Sequence, residues 1–301
     1  MDNENLVRPE VGDLVVGVDG SPSARTAVLW AAEEAHFRSR PLHLVHAADT
    51  DRRAYWSDAE RMQEIREAGR DLLAETAAAV TRRHPDLVVT RTLGRQEPVA
   101  GLREAAGDDK TIVVGHRGLG GFSSLLLGSV GLGVAARADV PVIVVRGAAD
   151  RPESGSVTAA VRDSADMGWL LFAAAEATAR KASLRIVSVW NILARVGSVA
   201  TMVDDLDGAA RRRVHEVRGL ADRVREWYPD LNVTPHVETG TTTPGILVEA
   251  AARTDLLVMG RSHRPLGVGP ALGRVAHALI HHAPCPVQIV PADFATEAGT
   301  P

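Results

Sequence analysis

Cysteine is nearly absent from this 301-residue chain, Cys285 being the only one. A single thiol excludes an intrachain disulfide framework and a thiolate metal cluster, and it agrees with a reducing compartment. Set between Pro284 and Pro286, Cys285 reads as a packed thiol rather than a nucleophile. Aromatic residues make up only 4% of the chain, and no excess of basic charge compensates. The net charge is −4, with 18 basic and 22 acidic residues up to Asp150 and 16 of each beyond it. Neither half therefore has the basic excess or aromatic platform of a nucleic-acid binder, and no nucleic acid is expected as a partner. Arg211, Arg212, Arg213, Arg218, Arg223 and Arg225 stand among acidic neighbours in a helical stretch and read as a solvated face. No apolar run reaches the roughly 18 to 20 residues that span a bilayer, and the polar start MDNENLVRPE lacks the regions of a signal peptide. The expectation is a cytoplasmic protein with no membrane partner. Also missing are G-x4-G-K-[ST], and with it a P-loop lysine, an HxGH pair, and an acidic cluster dedicated to magnesium.

What is present is ordinary globular material: 45% hydrophobic and 24% charged residues, at a length that suits two domains of about 150 residues. Leu14 to Val18 is a short apolar strand ending at Asp19, and Gly20, Ser21 and Pro22 turn the chain into a helix over about Ser23 to Phe37. Leu42 to Ala47 is a second strand. An irregular segment, Asp49 to Trp56, precedes a long helix, about Ser57 to Arg83. A third strand, Leu87 to Leu93, ends at Gly94, and Pro98 sits in the first turn of the next helix, where its missing amide costs nothing. The strand Thr111 to Val114, a glycine-containing loop, a helix and the strand Val142 to Arg146 complete the series. Strands alternating with helices imply parallel pairing with right-handed crossovers, an α/β doubly wound domain.

After the polar linker GAADRPESGS the order begins again. Val157 to Val161 leads to Asp163; Leu184 to Val189, Asn232 to Val237, Leu256 to Met259 and Val287 to Val290 follow as strands. The offset is 144 from Asp19 to Asp163, 146 from Gly94 to Gly240, and 145 for Gly115 to Gly260, Gly128 to Gly273 and Pro141 to Pro286. Landmarks at nearly one offset identify a tandem duplication of a domain, spanning residues 11–147 and 156–292.

The chemistry gathers at the strand ends. In an open parallel sheet, ligands bind beyond the carboxyl ends of the strands, which is where Asp19, Ala47, Gly94 and Gly115 fall. Gly115 and Gly118 then lead to Gly128, Ser129 and Val130, which open a helix whose unpaired amides favour an anion. Glycines so spaced either cradle phosphate or merely shape a tight loop. Asp19 either accepts hydrogen bonds from a ribose or an adenine amino group, or caps the helix that begins in DGSPS. Ala47, and Val189 in the second copy, would offer backbone groups to a base edge. His116 reads as a contact or surface residue, and His281 and His282 as structural residues at a helix end.

VGVDGS with Asp19, LVHA in the second strand, and G-x2-G-x9-G-S at Gly115, Gly118, Gly128 and Ser129 followed by PVIVV together resemble a universal stress protein domain of the nucleotide-binding type. The resemblance covers nearly the whole chain. It implies two Rossmann-like, adenine nucleotide alpha hydrolase-like domains, each a five-stranded parallel sheet of order 3-2-1-4-5, and binding of ATP, with magnesium. It further implies pairing of two such domains through their fifth strands, so the Pro141 and Pro286 strands are expected to pair within the molecule, and a homodimer of tandem chains is a further expectation. The second half departs from the motif: Gly260 and Gly273 remain, but His263 stands for the second glycine and Arg274 for the serine. A side chain at His263 obstructs close backbone approach, whereas Arg274 supplies positive charge to a phosphate, so ATP binding there stays open, with Asp163 retained on the nucleoside side. The expected function is a stress-response protein that holds ATP and signals occupancy without being an enzyme. The alternatives are a slow magnesium-dependent ATPase or phosphotransferase, and a dimerisation scaffold without nucleotide.

Overall fold

Short runs of aliphatic residues bounded by glycine or aspartate make strands that are covered on both faces. The computed structural model describes residues 9, 11–53, 58–118, 128–147, 153–191, 203–261, 272–291 and 294. Its contacts divide the chain into two units, Gly12–Arg151 and Pro152–Pro301.

The first unit runs β1 (Leu14–Gly17), α1 (Pro22–Phe37), β2 (Leu42–Ala47), α2 (Thr50–Arg53), α3 (Ala59–Arg83), β3 (Val89–Gly94), α4 (Pro98–Ala106), β4 (Thr111–Gly115), α5 (Ser129–Arg137) and β5 (Val142–Val145). All its strand pairs are parallel, in the order β3-β2-β1-β4-β5. Val15, Val16, Leu42, Ile112 and Ile143 lie in the core, and α1 presents Ala27, Ala31 and Ala35 to it. Small residues on that face let the helix approach the sheet closely, and this brings α1 against the end of β4. The segment expected to be irregular, Asp49 to Trp56, instead contains α2, with residues 54–57 outside those described.

The second unit runs β6 (Ser156–Val161), a 3-10 turn (Ser164–Asp166), α6 (Met167–Ala179), β7 (Ser183–Asn191), α7 (Val203–Trp227), β8 (Val233–Gly240), α8 (Thr243–Ala251), β9 (Leu256–Gly260), α9 (Arg274–His282) and β10 (Val287–Val290). Read from its own edge its order is β8-β7-β6-β9-β10, again parallel throughout, so both copies have the 3-2-1-4-5 order. The helix α6 is apolar except for Glu176 and Thr178; Glu176 is fully buried and accepts a 2.9 Å hydrogen bond from Gln288 Nε2 on β10. Among the described residues no helix is long and apolar enough to cross a membrane.

Candidate functional site

Beyond the carboxyl end of β1 the chain turns at Gly20, whose φ of 83° is in the left-handed region. Ser21, not Asp19, caps α1: its Oγ accepts the Ala24 N–H at 3.1 Å. Asp19 Oδ1 accepts the Ser21 N–H at 2.9 Å. The other carboxylate oxygen faces the glycine loop, for a Cβ built on Gly118 would stand 2.7 Å from Asp19 Oδ2. Gly118 in turn meets Gly128, where a Cβ would lie 3.2 Å from the Gly118 nitrogen. The Gly128 N–H donates to the His116 carbonyl at 2.9 Å and closes the loop at its base. Asp19, Gly118 and Gly128 therefore converge on one spot. Gly120 and Gly121 lie outside the described residues.

The helix α5 starts at that spot. Its N-cap, Gly128, gives no side-chain hydrogen bond, so the amides of the first turn, from Ser129 and Val130 onward, carry the helix's partial positive charge without a side-chain cap. Ser129 is exposed and Val130 half-buried. Ala47 and Gly94 are register partners at the ends of β2 and β3, and the Gly94 carbonyl accepts the Ala48 N–H at 2.9 Å. Gly115 has a different role from the one its place in the motif suggests. A Cβ there would lie 2.6 Å from the carbonyl carbon, carbonyl oxygen and Oγ of Ser23, so the glycine serves the packing of α1 on β4.

Sequence reasoning missed the clamp next to it. Ser23, only 8% exposed, hydrogen-bonds His116 Nδ1 at 3.0 Å and accepts the Arg117 N–H at 3.0 Å, while Ser21 Oγ donates to the Arg117 carbonyl at 3.3 Å. The N–H and the carbonyl of Arg117 are thus both held by the start of α1. Burial, helped by the Arg146 and Arg117 charges and opposed by a hydrogen bond to the Val145 backbone, lowers the His116 pKa below its ordinary value. Burial and the nearby Arg117 charge also lower that of Arg146. Two guanidinium groups close enough to repel each other form an electropositive margin beside the glycine loop. The serines in DGSPS, Ser21 and Ser23, were the available signal.

In the second unit the same strand ends look different. Asp163 is exposed and accepts the Ala165 N–H at 2.9 Å, capping the 3-10 turn, and it is not part of the cavity wall beside it. That cavity, about 380 Å³, opens at the carboxyl ends of β6, β7 and β9 and is lined by Val189, Gly260, Gly273 and Arg274 among others. These four of the expected site residues are therefore brought together. Gly260 is pressed against the Trp169 indole at its Nε1, so its missing Cβ leaves room for a side chain of α6. Gly273 caps α9 without a side-chain hydrogen bond, and Arg274, exposed, begins the helix. His263 lies outside the described residues.

Comparison with known proteins agrees with this architecture. A family model described as the universal stress protein family matches residues 11–146 and 155–291. A universal stress protein of Mycobacterium tuberculosis is 32% identical over 293 residues, 94% of this chain and 97% of that protein. Another from the same organism is 30% identical over 293 residues, covering 91% and 95%. The crystal structure of a universal stress protein from Archaeoglobus fulgidus superposes with a TM-score of 0.68 at 18% identity, covering 94% of this chain and 97% of that one, a likeness of fold.

Proposed function

This chain belongs to the universal stress protein family, and we propose that its first unit binds ATP and acts as a nucleotide-occupancy sensor in a cytoplasmic stress response, with little hydrolysis. The observation that carries the proposal is the convergence of Asp19, Gly118 and Gly128 at a helix start without a side-chain cap. Phosphate needs bare backbone and unpaired amides, and both meet there. The cradle fits the group: a side chain at Gly118 would run into Asp19, and one at Gly128 would run into the Gly118 peptide. The first-turn amides of α5 and the Ser129 hydroxyl would hold phosphate oxygens. Arg117 and Arg146 add positive potential, and Asp19 is the acceptor for ribose or adenine donors. Bound magnesium would arrive on the triphosphate and neutralise part of its charge.

The test is calorimetric titration of the full chain with magnesium and ATP, together with the nucleotide content of protein denatured after purification. One ATP site lost on Gly118→Val supports the proposal; no heat and no co-purified nucleotide refutes it. The Ser23–His116 hydrogen bond favours a second reading, slow hydrolysis, because it sets a nitrogen base near the loop. Magnesium-dependent phosphate release over many turnovers, abolished in Gly118→Val, would replace the sensor by an ATPase.

A further inference from the structure

We propose that the cavity of the second unit is a separate site for a small organic acid, an apolar body carrying a carboxylate or phosphate, and not a second copy of the nucleotide site. Its volume, about 380 Å³, lies in the range of small-molecule sites, roughly 300–1,000 Å³. Its walls are largely apolar, with Val161, Val187, Leu247 and Met259 among them. On one of those walls stands Trp169, 4% exposed, whose Nε1–H has no acceptor among the described residues. An indole N–H is a donor only, and a buried donor without a partner is costly, so a ligand oxygen reaching it would be selected for.

The charges lining the cavity decide the ligand's character. Among the described residues that line it, Arg162, Arg213, Arg261 and Arg274 face a single carboxylate, Asp166. Asp166 is 2% exposed and already engaged: it accepts the Arg162 N–H at 2.6 Å and the Arg162 guanidinium at 2.7 Å. Arg213 pairs with Glu216 at 2.9 Å. Arg274 forms no ion pair among the described residues and stands at the start of α9, where the helix end adds to its charge. The counterpart of Asp19, Asp163, is outside the wall. A nucleoside brings hydroxyl and amino donors and would find no uncommitted carboxylate among the described lining residues; an acid brings acceptors and finds Trp169 and Arg274.

The experiment is calorimetric titration of the intact chain with phenyl phosphate, phenylacetate, benzyl alcohol and ATP. The expected result is one site per chain for phenyl phosphate or phenylacetate and none for benzyl alcohol. Arg274→Gln, a substitution at an exposed position, should weaken the anion at least about tenfold, and Trp169→Phe, which keeps an aromatic side chain of smaller size and removes the donor, several-fold. Thermal melting verifies that both variants fold. The phosphate and carboxylate arms tell which acid is preferred, either preference supporting the proposal. Three results overturn it: no binding of either anion at millimolar concentration, anion binding indifferent to both substitutions, or two ATP per chain with the second lost in Arg274→Gln. Failure of the first unit's nucleotide site is read separately, since anion binding persisting in Gly118→Val alongside absent ATP binding in the parent would refute only the ATP proposal.

Discussion

Gly115 and Gly118 stand three residues apart in one motif, yet alanine at each should fail in a different way. At Gly115 the new methyl carbon would sit 2.6 Å from the backbone carbon and oxygen of Ser23, where contact normally begins near 3.5 Å. Backbone cannot swing aside, so α1 and β4 must part by nearly an ångström. Overpacking of this kind costs about 1–3 kcal/mol. Loosening the bonds of Ser23 Oγ to His116 and Arg117 adds about 1 kcal/mol. A total of about 2–4 kcal/mol lowers the melting temperature of a unit this size by about 5–15 °C. At Gly118 the close atom among the described residues is Asp19 Oδ2, the end of a side chain that can rotate at the loss of its bond to the Ser21 N–H, about 1 kcal/mol or about 2–4 °C. ATP affinity, however, should fall at least about tenfold, because the methyl fills the phosphate approach and displaces the carboxylate. Scanning calorimetry and ATP titration of both variants separate the two effects. If Gly115→Ala melts within about 2 °C of the parent, the close-packing argument is wrong; if Gly118→Ala binds ATP like the parent, the phosphate reading is wrong.

Ser23→Ala removes the Oγ that bonds the Arg117 N–H and His116 Nδ1, and should cost about 1–3 kcal/mol in urea unfolding of the first unit. Gln288→Leu removes the 2.9 Å bond to the fully buried Glu176 and should cost about 2–3 kcal/mol in the second unit by the same measurement. His116 has its pKa lowered in the folded chain, mainly by burial and then by the Arg146 charge, so the unfolded chain takes up the proton first as pH falls. Its contribution is complete above the ordinary histidine value of about 6.5 and is lost below it. Melting temperature should therefore drop more steeply between pH 7 and pH 5 in the parent than in His116→Gln, and equal slopes would remove His116 from the account.

The alternation of strands and helices and the near-constant offset were legible because they depend on apolar runs and glycine landmarks that hydrophobic burial makes unavoidable, whereas the 3-2-1-4-5 order was implied only by the family resemblance. Asp19, Gly118 and Gly128 were legible too, since their spacing matters only if they meet. The Ser23–His116–Arg117 clamp was not, because a serine in the first turn of a helix looks like any capping residue until β4 is laid beside it. Nor was the engagement of Asp166 by Arg162, which hides a carboxylate in a stretch where Asp163 draws attention. Side-chain partners across more than a hundred residues, such as Glu176 and Gln288, leave no local pattern to find.

A glycine kept at the same offset in both copies invites the conclusion that its ligand was kept as well. The geometry argues otherwise. At Gly115 the absent Cβ makes room for the Ser23 backbone, and at Gly260 it makes room for the Trp169 indole. Both strand ends need glycine, but for neighbours on the helix after the first strand of each unit rather than for a phosphate. Position 23 corresponds, at the offset of 144 that joins Asp19 to Asp163, to Met167, which has no hydroxyl to clamp the residues after β9. Without that clamp, a bulky side chain of α6 fills the place and brings an unpartnered N–H with it. The shared scaffold fixes where a ligand can sit, while the first two turns of the helix after the first strand of each unit decide which chemistry meets it there.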